Sequence, residues 1–296
     1  DVYKRQTLLC LLAGTLYAVC LSACGAKEPL SENRDAEIES PVIANDLSNQ
    51  KVTAIAEDTQ GHIWIGTFRG LNKNNVHDYH QYFCTDDSLG LPDNQITHLL
   101  RDSKNRFWVG TVNGVCLYTD KDNFRIIPIE ADNKNVRQIL EDRNGRIFLN
   151  TGFQLYAYHP REEKITCVLP EISPGNAFYA QCHIAPDNNL WVMTSTGLRC
   201  YDPSTLQLKE SVALSGYPYY SYLHNNELWI TGNHTLSIFD TRTRSFKPLP
   251  QPIARNTTLC NADIDYIHPY GNNGLLLNTA RHGMFYYNPG TGSVTR

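Results

Sequence analysis

The chain is short of methionine and of charge, and it contains no cluster of basic residues. Only 2 of its 296 residues are Met, and Asp, Glu, Lys and Arg together make up 19%. The net charge is −4 without a basic block, which excludes the electrostatic footprint of a nucleic-acid-binding segment. Nothing sustains a 3.6-residue apolar period, which excludes a helical architecture. G-x-S-x-G, H-E-x-x-H and phosphate-loop sequences are missing, as are carboxylates paired at a recognisable spacing. No motif therefore marks this chain as an enzyme. What is abundant is Tyr (17) and Gly (19), with 41% hydrophobic residues. That is enough to bury a core, and it favours short strands and tight turns.

The N-terminus reads as an address. Lys4 and Arg5 precede an apolar run from Thr7 to Leu21, too short for a comfortable membrane span and ordered like a secretory signal. Its end, Leu21-Ser22-Ala23-Cys24-Gly25, resembles the bacterial lipobox, in which Cys24 is acylated and becomes the first mature residue. Residues 1–24 are thus expected to be a signal peptide, residues 25–46 a charged flexible spacer, and the protein exported. No other stretch reaches 18 apolar residues.

From residue 47 onward the chain repeats itself. Val52–Asp58, a turn at Gly61 and Ile63-Trp64-Ile65-Gly66-Thr67 return as Ile96–Asp102 and Phe107-Trp108-Val109-Gly110-Thr111. Later copies centre on Phe148, Trp191, Trp229 and Leu276, at spacings of 44, 40, 43, 38 and 47 residues. Apolar stretches of about five residues, four to a unit and separated by Asp, Asn and Gly, predict an all-β fold, a β-propeller of four-stranded blades. Six blades are visible over residues 47–296. The turn-like Asn288–Gly292 before a last apolar residue favours a chain cut short of a seventh blade over a ring closed with six.

Leu47–Val52, Glu57–Thr67 and Gly90–Ile96 resemble two-component regulator propeller repeats, the family that builds the periplasmic sensor of hybrid two-component histidine kinases. The resemblance spans about residues 45–296 and fades in the fifth and sixth blades. It implies a non-catalytic, cofactor-free sensor of oligosaccharides that controls polysaccharide-use genes through a phosphorelay. Its implied partners are a second propeller or downstream domains of the same chain, with a homodimer admitted. Nucleic acid is excluded for this segment, and the membrane is reached by the Cys24 lipid or by a downstream helix. The lipobox keeps open a stand-alone lipoprotein acting as glycan binder or scaffold, and propellers also host lyases.

In a propeller the turns between middle strands share a face with the connections between blades. That face is expected to collect Arg69, Asn94, Asn113, Gln154, His234, Arg281 and His282, with Phe68, Phe153 and Asn176. Amides fix sugar hydroxyls, aromatic faces stack on pyranose rings, and Arg binds a uronate or sulfate. Asn in such turns also serves conformation alone. Tyr217, Tyr219, Tyr220 and Tyr222 are expected to pack between blades, and His183, His224 and His268 lack metal-ligand spacing. The Asp58, Asp102 and Asp142 turns read as hairpins, not calcium loops. Six cysteines remain beyond the signal, and Cys182 with Cys200 is the one pair that adjacent strands could bring together.

Overall fold

The computed structural model describes residues 41–75, 77–85, 89–119, 121–172, 180–271 and 273–296; the signal peptide with Cys24, most of the spacer, and Asn176 lie outside them. The fold is all-β, with six blades of the β-propeller type. The chain divides between residues 168 and 169 into two compact units, and three blades lie in each.

In the first unit, β1 (Val42–Ala44), β2 (Val52–Glu57), β3 (Ile63–Thr67), β4 (Gly70–Asn74) and β5 (Tyr79–Tyr82) form one sheet. The second sheet is β6 (Ile96–Arg101), β7 (Phe107–Thr111), β8 (Gly114–Tyr118) and β9 (Phe124–Ile127). The third is β10 (Gln138–Glu141), β11 (Ile147–Asn150), β12 (Leu155–His159) and β13 (Lys164–Leu169). The residues expected to be spacer up to 46 therefore include a strand. Val42 to Ala44 pair with Gln81 to Tyr79, adding a fifth strand outside the first blade.

In the second unit, β14 (Gln181–Ile184), β15 (Leu190–Thr194), β16 (Gly197–Tyr201) and β17 (Leu208–Ala213) make the fourth blade. The fifth is β18 (Pro218–His224), β19 (Glu227–Gly232), β20 (Thr235–Asp240) and β21 (Ser245–Lys247). Two short helices follow, α1 (Gln251–Ala254) and α2 (Thr257–Cys260), which burying Ile253 and Leu259 holds against the last two blades. The sixth blade is β22 (Ile264–Tyr270), β23 (Gly274–Thr279), β24 (Gly283–Asn288) and β25 (Ser293–Thr295). The turn at Asn288–Gly292 does not open a new blade: Val294 pairs with Tyr287, so the strand after the turn is the sixth blade's own outer edge. No seventh blade occurs among the described residues.

The cores lie between blades. In β7, Phe107 and Val109 join the cluster of Trp64, Leu71 and Tyr82 from the first blade, while Trp108 joins Ile139, Leu149 and Tyr158 from the third. Both faces of a middle strand are therefore covered, which is why these strands read as unbroken apolar runs. In the second unit, Trp191 packs with Leu228 and Phe239, and Trp229 with Ile267 and Leu275. The glycine of the repeat lets the next inner strand come close: a Cβ on Gly66 would stand 2.5 Å from Ile96 Cγ2, and one on Gly110 3.1 Å from Val136 Cγ1.

The repeat threonine closes the turn that follows it. Thr67 Oγ1 donates to the Gly70 carbonyl at 2.8 Å and accepts the Arg69 N–H. Thr111 repeats this with Gly114 and Asn113, and Thr279 with Gly283 and His282.

The repeat aspartate has a second use that the hairpin reading missed. Trp64 faces Ala56, Trp108 faces Leu100 and Phe148 faces Leu140; two residues further along each inner strand stand Asp58, Asp102 and Asp142. Asp58 Oδ2 accepts Trp64 Nε1–H at 2.9 Å, and Asp102 Oδ2 accepts Trp108 Nε1–H at 2.8 Å. The other carboxylate oxygen gathers backbone N–H groups of the turn. In the fourth and fifth blades the same position holds Ala185 and His224, and the buried Nε1 atoms of Trp191 and Trp229 have no hydrogen-bond partner among the described residues. Ala185→Asn restores a neutral acceptor at a position whose backbone holds Asp elsewhere in the chain. It is expected to raise stability by about 1 kcal/mol in urea denaturation. A loss of stability would show that the indole does not face this position.

Candidate functional site

Because strands alternate in direction, the turn between a blade's two middle strands opens at the same end as its connection to the next blade. Every described residue expected at the ligand face lies at this end of its own blade; Asn176 lies outside the described residues. In the first unit, Arg69 is exposed on the β3–β4 turn beside Phe68, which is 41% exposed. Lys51 Nζ sits 3.8 Å above the Phe68 ring. The Asn94 carbonyl accepts the Gly70 N–H at 2.7 Å, which draws the β5–β6 connection onto that turn. Val112 N–H likewise reaches the Gln95 carbonyl, placing exposed Asn113 beside the same connection. Arg69, Asn94 and Asn113 are thus brought to one end of the first two blades, with Lys51 and Phe68.

Two of the expected amides are occupied. Asn94 Oδ1 accepts the Cys84 N–H at 2.7 Å, and Gln154 Oε1 accepts the Tyr156 hydroxyl at 2.6 Å. Both support the loops in which they sit. Phe153, next to Gln154, remains 47% exposed.

In the second unit, His234 lies in the two-residue β19–β20 turn at φ +50°. Asp263 Oδ1 accepts its N–H at 2.9 Å, and its Nδ1 lies 3.0 Å from the Asn261 carbonyl. The Asp263 carbonyl also accepts the Ala280 N–H, tying the β23–β24 turn, which carries exposed Arg281 and His282, to the same connection. Asp263 was not singled out from sequence, nor was Asp265, whose carboxyl is raised by burial and by the neighbouring charge of Asp263. The two units therefore differ at this end. The first presents Lys51, Phe68 and Arg69; the second presents Arg281 and His282 and holds His234 against the Asp263 carboxylate.

The remaining candidates are structural except Tyr217, which does not pack between blades as expected. Tyr219 and Tyr220 donate to the Ile264 and Ile267 carbonyls of the neighbouring inner strand, whereas Tyr217 is 75% exposed. His183 Nε2 meets Ser221 Oγ at 2.8 Å, His224 meets Asn273 Oδ1, and His268 stacks on Tyr266. Cys182 and Cys200 stand on β14 and β16 with β15 between them, so they do not lie on adjacent strands, and none of the six cysteines is in a disulfide. Burial pushes the Cys182 thiol up to about 12, far from a reactive thiolate.

Residues 46–69 and 90–113 match the two component regulator propeller family, so the chain carries two such repeats, and each matched segment ends on a turn between middle strands. No curated protein sequence matches the chain. Among solved structures it is similar to virginiamycin B lyase from Staphylococcus aureus, with 17% identity, a TM-score of 0.63 and 86% of each chain covered. It is also similar to the extracellular domain of BT4673 from B. thetaiotaomicron, described as a one component system, with 15% identity and a TM-score of 0.50. That match covers 83% of this chain but 41% of the other. At these identities the likeness is one of fold.

Proposed function

We propose that the chain is the ligand-sensing propeller of an exported hybrid two-component sensor, and that its ligand is an oligosaccharide. The pair of two component regulator propeller repeats carries this reading, because the segments matched contain Arg69, Asn94 and Asn113. Lys51 and Arg69 supply cations and Phe68 an exposed ring, a set suited to an acidic sugar. The chain itself binds without turnover. The phosphorelay, the membrane helix and any second propeller belong to segments outside residues 1–296, and Cys24 supplies an anchor if it is acylated.

Calorimetry with an oligogalacturonide tests the site. The double variant Lys51→Ala, Arg69→Ala is expected to bind at least about tenfold more weakly, or about 1.4 kcal/mol, with an unchanged thermal midpoint. Equal affinity would remove this face as the binding surface.

A further inference from the structure

One corner of the fifth blade is left uncovered by its neighbour. Thr235, Ser237 and Phe239 project from the same face of β20; Ile230 stands opposite Ser237 on β19, and Phe246 opposite Phe239 on β21. This face packs on Trp191, Met193 and Leu198 of the fourth blade through Leu228, Ile230 and Phe239. The packing stops short of the outer strand: Phe239 is 1% exposed, but Phe246 is 48% exposed. A cleft of about 350 Å³ lies there, large enough for a small molecule. Buried Pro218, Ile230 and Gly232 line it together with Phe246.

The backbone holds the cleft open at the end of the blade that carries the β19–β20 turn. A Cβ on Gly232 would stand 2.7 Å from Thr235 Oγ1 and 3.0 Å from the Tyr217 carbonyl oxygen. The β17–β18 connection thus comes down on that turn with no side chain between them.

The lining selects by what it lacks and by what it leaves unused. No ionisable side chain lines the cleft. The charged groups nearest in sequence are spent elsewhere: His234 on Asp263 and the Asn261 carbonyl, Arg244 on Glu210, and Lys247 on Glu227 and Asp240. A charged ligand would lose water here and find no counter-charge. The hydroxyls of Ser215, Thr235 and Ser237 also line the cleft and make no hydrogen bond among the described residues, so each is free to donate and to accept. A wholly apolar ligand would strip water from them and return nothing. An uncharged ring with a C–H face and several hydroxyls meets both conditions: its C–H face lies on Pro218, Ile230 and the Phe246 ring, and its hydroxyls meet Ser215, Thr235 and Ser237.

We propose that this cleft between the fourth and fifth blades is a second ligand site, and that it takes a neutral pyranose. It lies wholly within the second unit and rests on its own lining, whereas the acidic-sugar reading rests on Lys51, Phe68 and Arg69 of the first.

The test is saturation-transfer difference NMR of the full chain with the methyl pyranosides of glucose, galactose, mannose and xylose. A saturable signal is expected with at least one of the four. Methyl glucuronide adds a charge and cyclohexanol keeps the ring without most of its hydroxyls; each is expected to bind at least about tenfold more weakly. The double variant Thr235→Val, Ser237→Ala removes two hydroxyls at nearly constant shape and should weaken binding at least about tenfold with an unchanged thermal midpoint. Ser237→Phe fills the cleft and should abolish the signal. No saturable signal with any of the four, an equal response to cyclohexanol or to the glucuronide, or an undiminished response in either folded variant would each overturn the proposal. Oligogalacturonide binding is read separately, through Lys51 and Arg69, and is expected to be unchanged in both variants.

Discussion

Asp102→Ala is expected to cost about 4 kcal/mol of folding free energy, within the range of about 3–5 for breaking one side of a buried charged network. The Asp102 side chain is fully buried, and four donors converge on it: the N–H groups of Lys104 and Arg106, Arg106 Nε at 2.6 Å and Trp108 Nε1 at 2.8 Å. Alanine leaves the indole N–H in an apolar inter-blade core with no acceptor, and a half-buried guanidinium without its ion-pair partner. Asp102→Asn keeps one acceptor and loses the charge, with an expected cost of about 2 kcal/mol.

Asp142 provides the internal control. It holds the same turn through Asn144 and Arg146, but the ring above it belongs to Phe148, which has no N–H to donate. Asp142→Ala should therefore cost about 1 kcal/mol less than Asp102→Ala in urea denaturation followed by circular dichroism. Equal losses would mean that the turn N–H groups and the arginine carry the effect, and the indole bond would drop out of the explanation.

The blades were legible in sequence because each residue of the Trp-x-Gly-Thr strand has a local reason to recur. The ring fills the gap between blades, the glycine admits the next inner strand, and the threonine closes its own turn. Contacts distant in sequence were not legible. Val42–Ala44 becomes a strand through pairing 35 or more residues away with β5, and nothing in its composition separates it from the spacer. The last turn looked like the start of a new blade because a turn before an outer strand has the same composition as one before an inner strand.

The proposed ligand face was legible only by position. Antiparallel alternation puts Arg69, Asn113, His234 and Arg281 at the turn ends of their blades, but side-chain use depends on partners the repeat does not specify. Asn94 and Gln154 are consumed by Cys84 and Tyr156. Asp263 reaches His234 across 29 residues, and Lys51 finds Phe68 only because β2 and β3 lie side by side. The cysteine pairing failed for want of register: Cys182 and Cys200 flank the single strand β15, opposite its neighbouring residues Val192 and Trp191, and so lie on opposite faces of the sheet.

Between pH 6.5 and 4 the protein is expected to lose stability in steps set by buried histidines, His98 and His183 above all and His268 in the same direction, rather than by its carboxylates. Burial on the innermost strands pushes His98 and His183 down to about 4 from an ordinary value of 6.5. A folded-state value below the unfolded one means the unfolded chain takes up the proton first. The stabilisation is complete above about pH 6.5, declines as the pH falls toward 4 and is lost below it. As whole residues both are half-buried rather than fully buried, which limits the expected loss to about 1–2 kcal/mol each. Asp202 and Asp240, held down to about 2 by hydrogen bonds from Lys209 and Lys247, lose their contribution only between about pH 4 and 2. The two windows are separate. His183→Gln keeps a polar group facing Ser221 and cannot be protonated, so it should remove about half of the decline between pH 6.5 and 4 and leave the lower window unchanged. A decline of full size in both His183→Gln and His98→Gln would show that burial of these imidazoles does not govern the acid sensitivity.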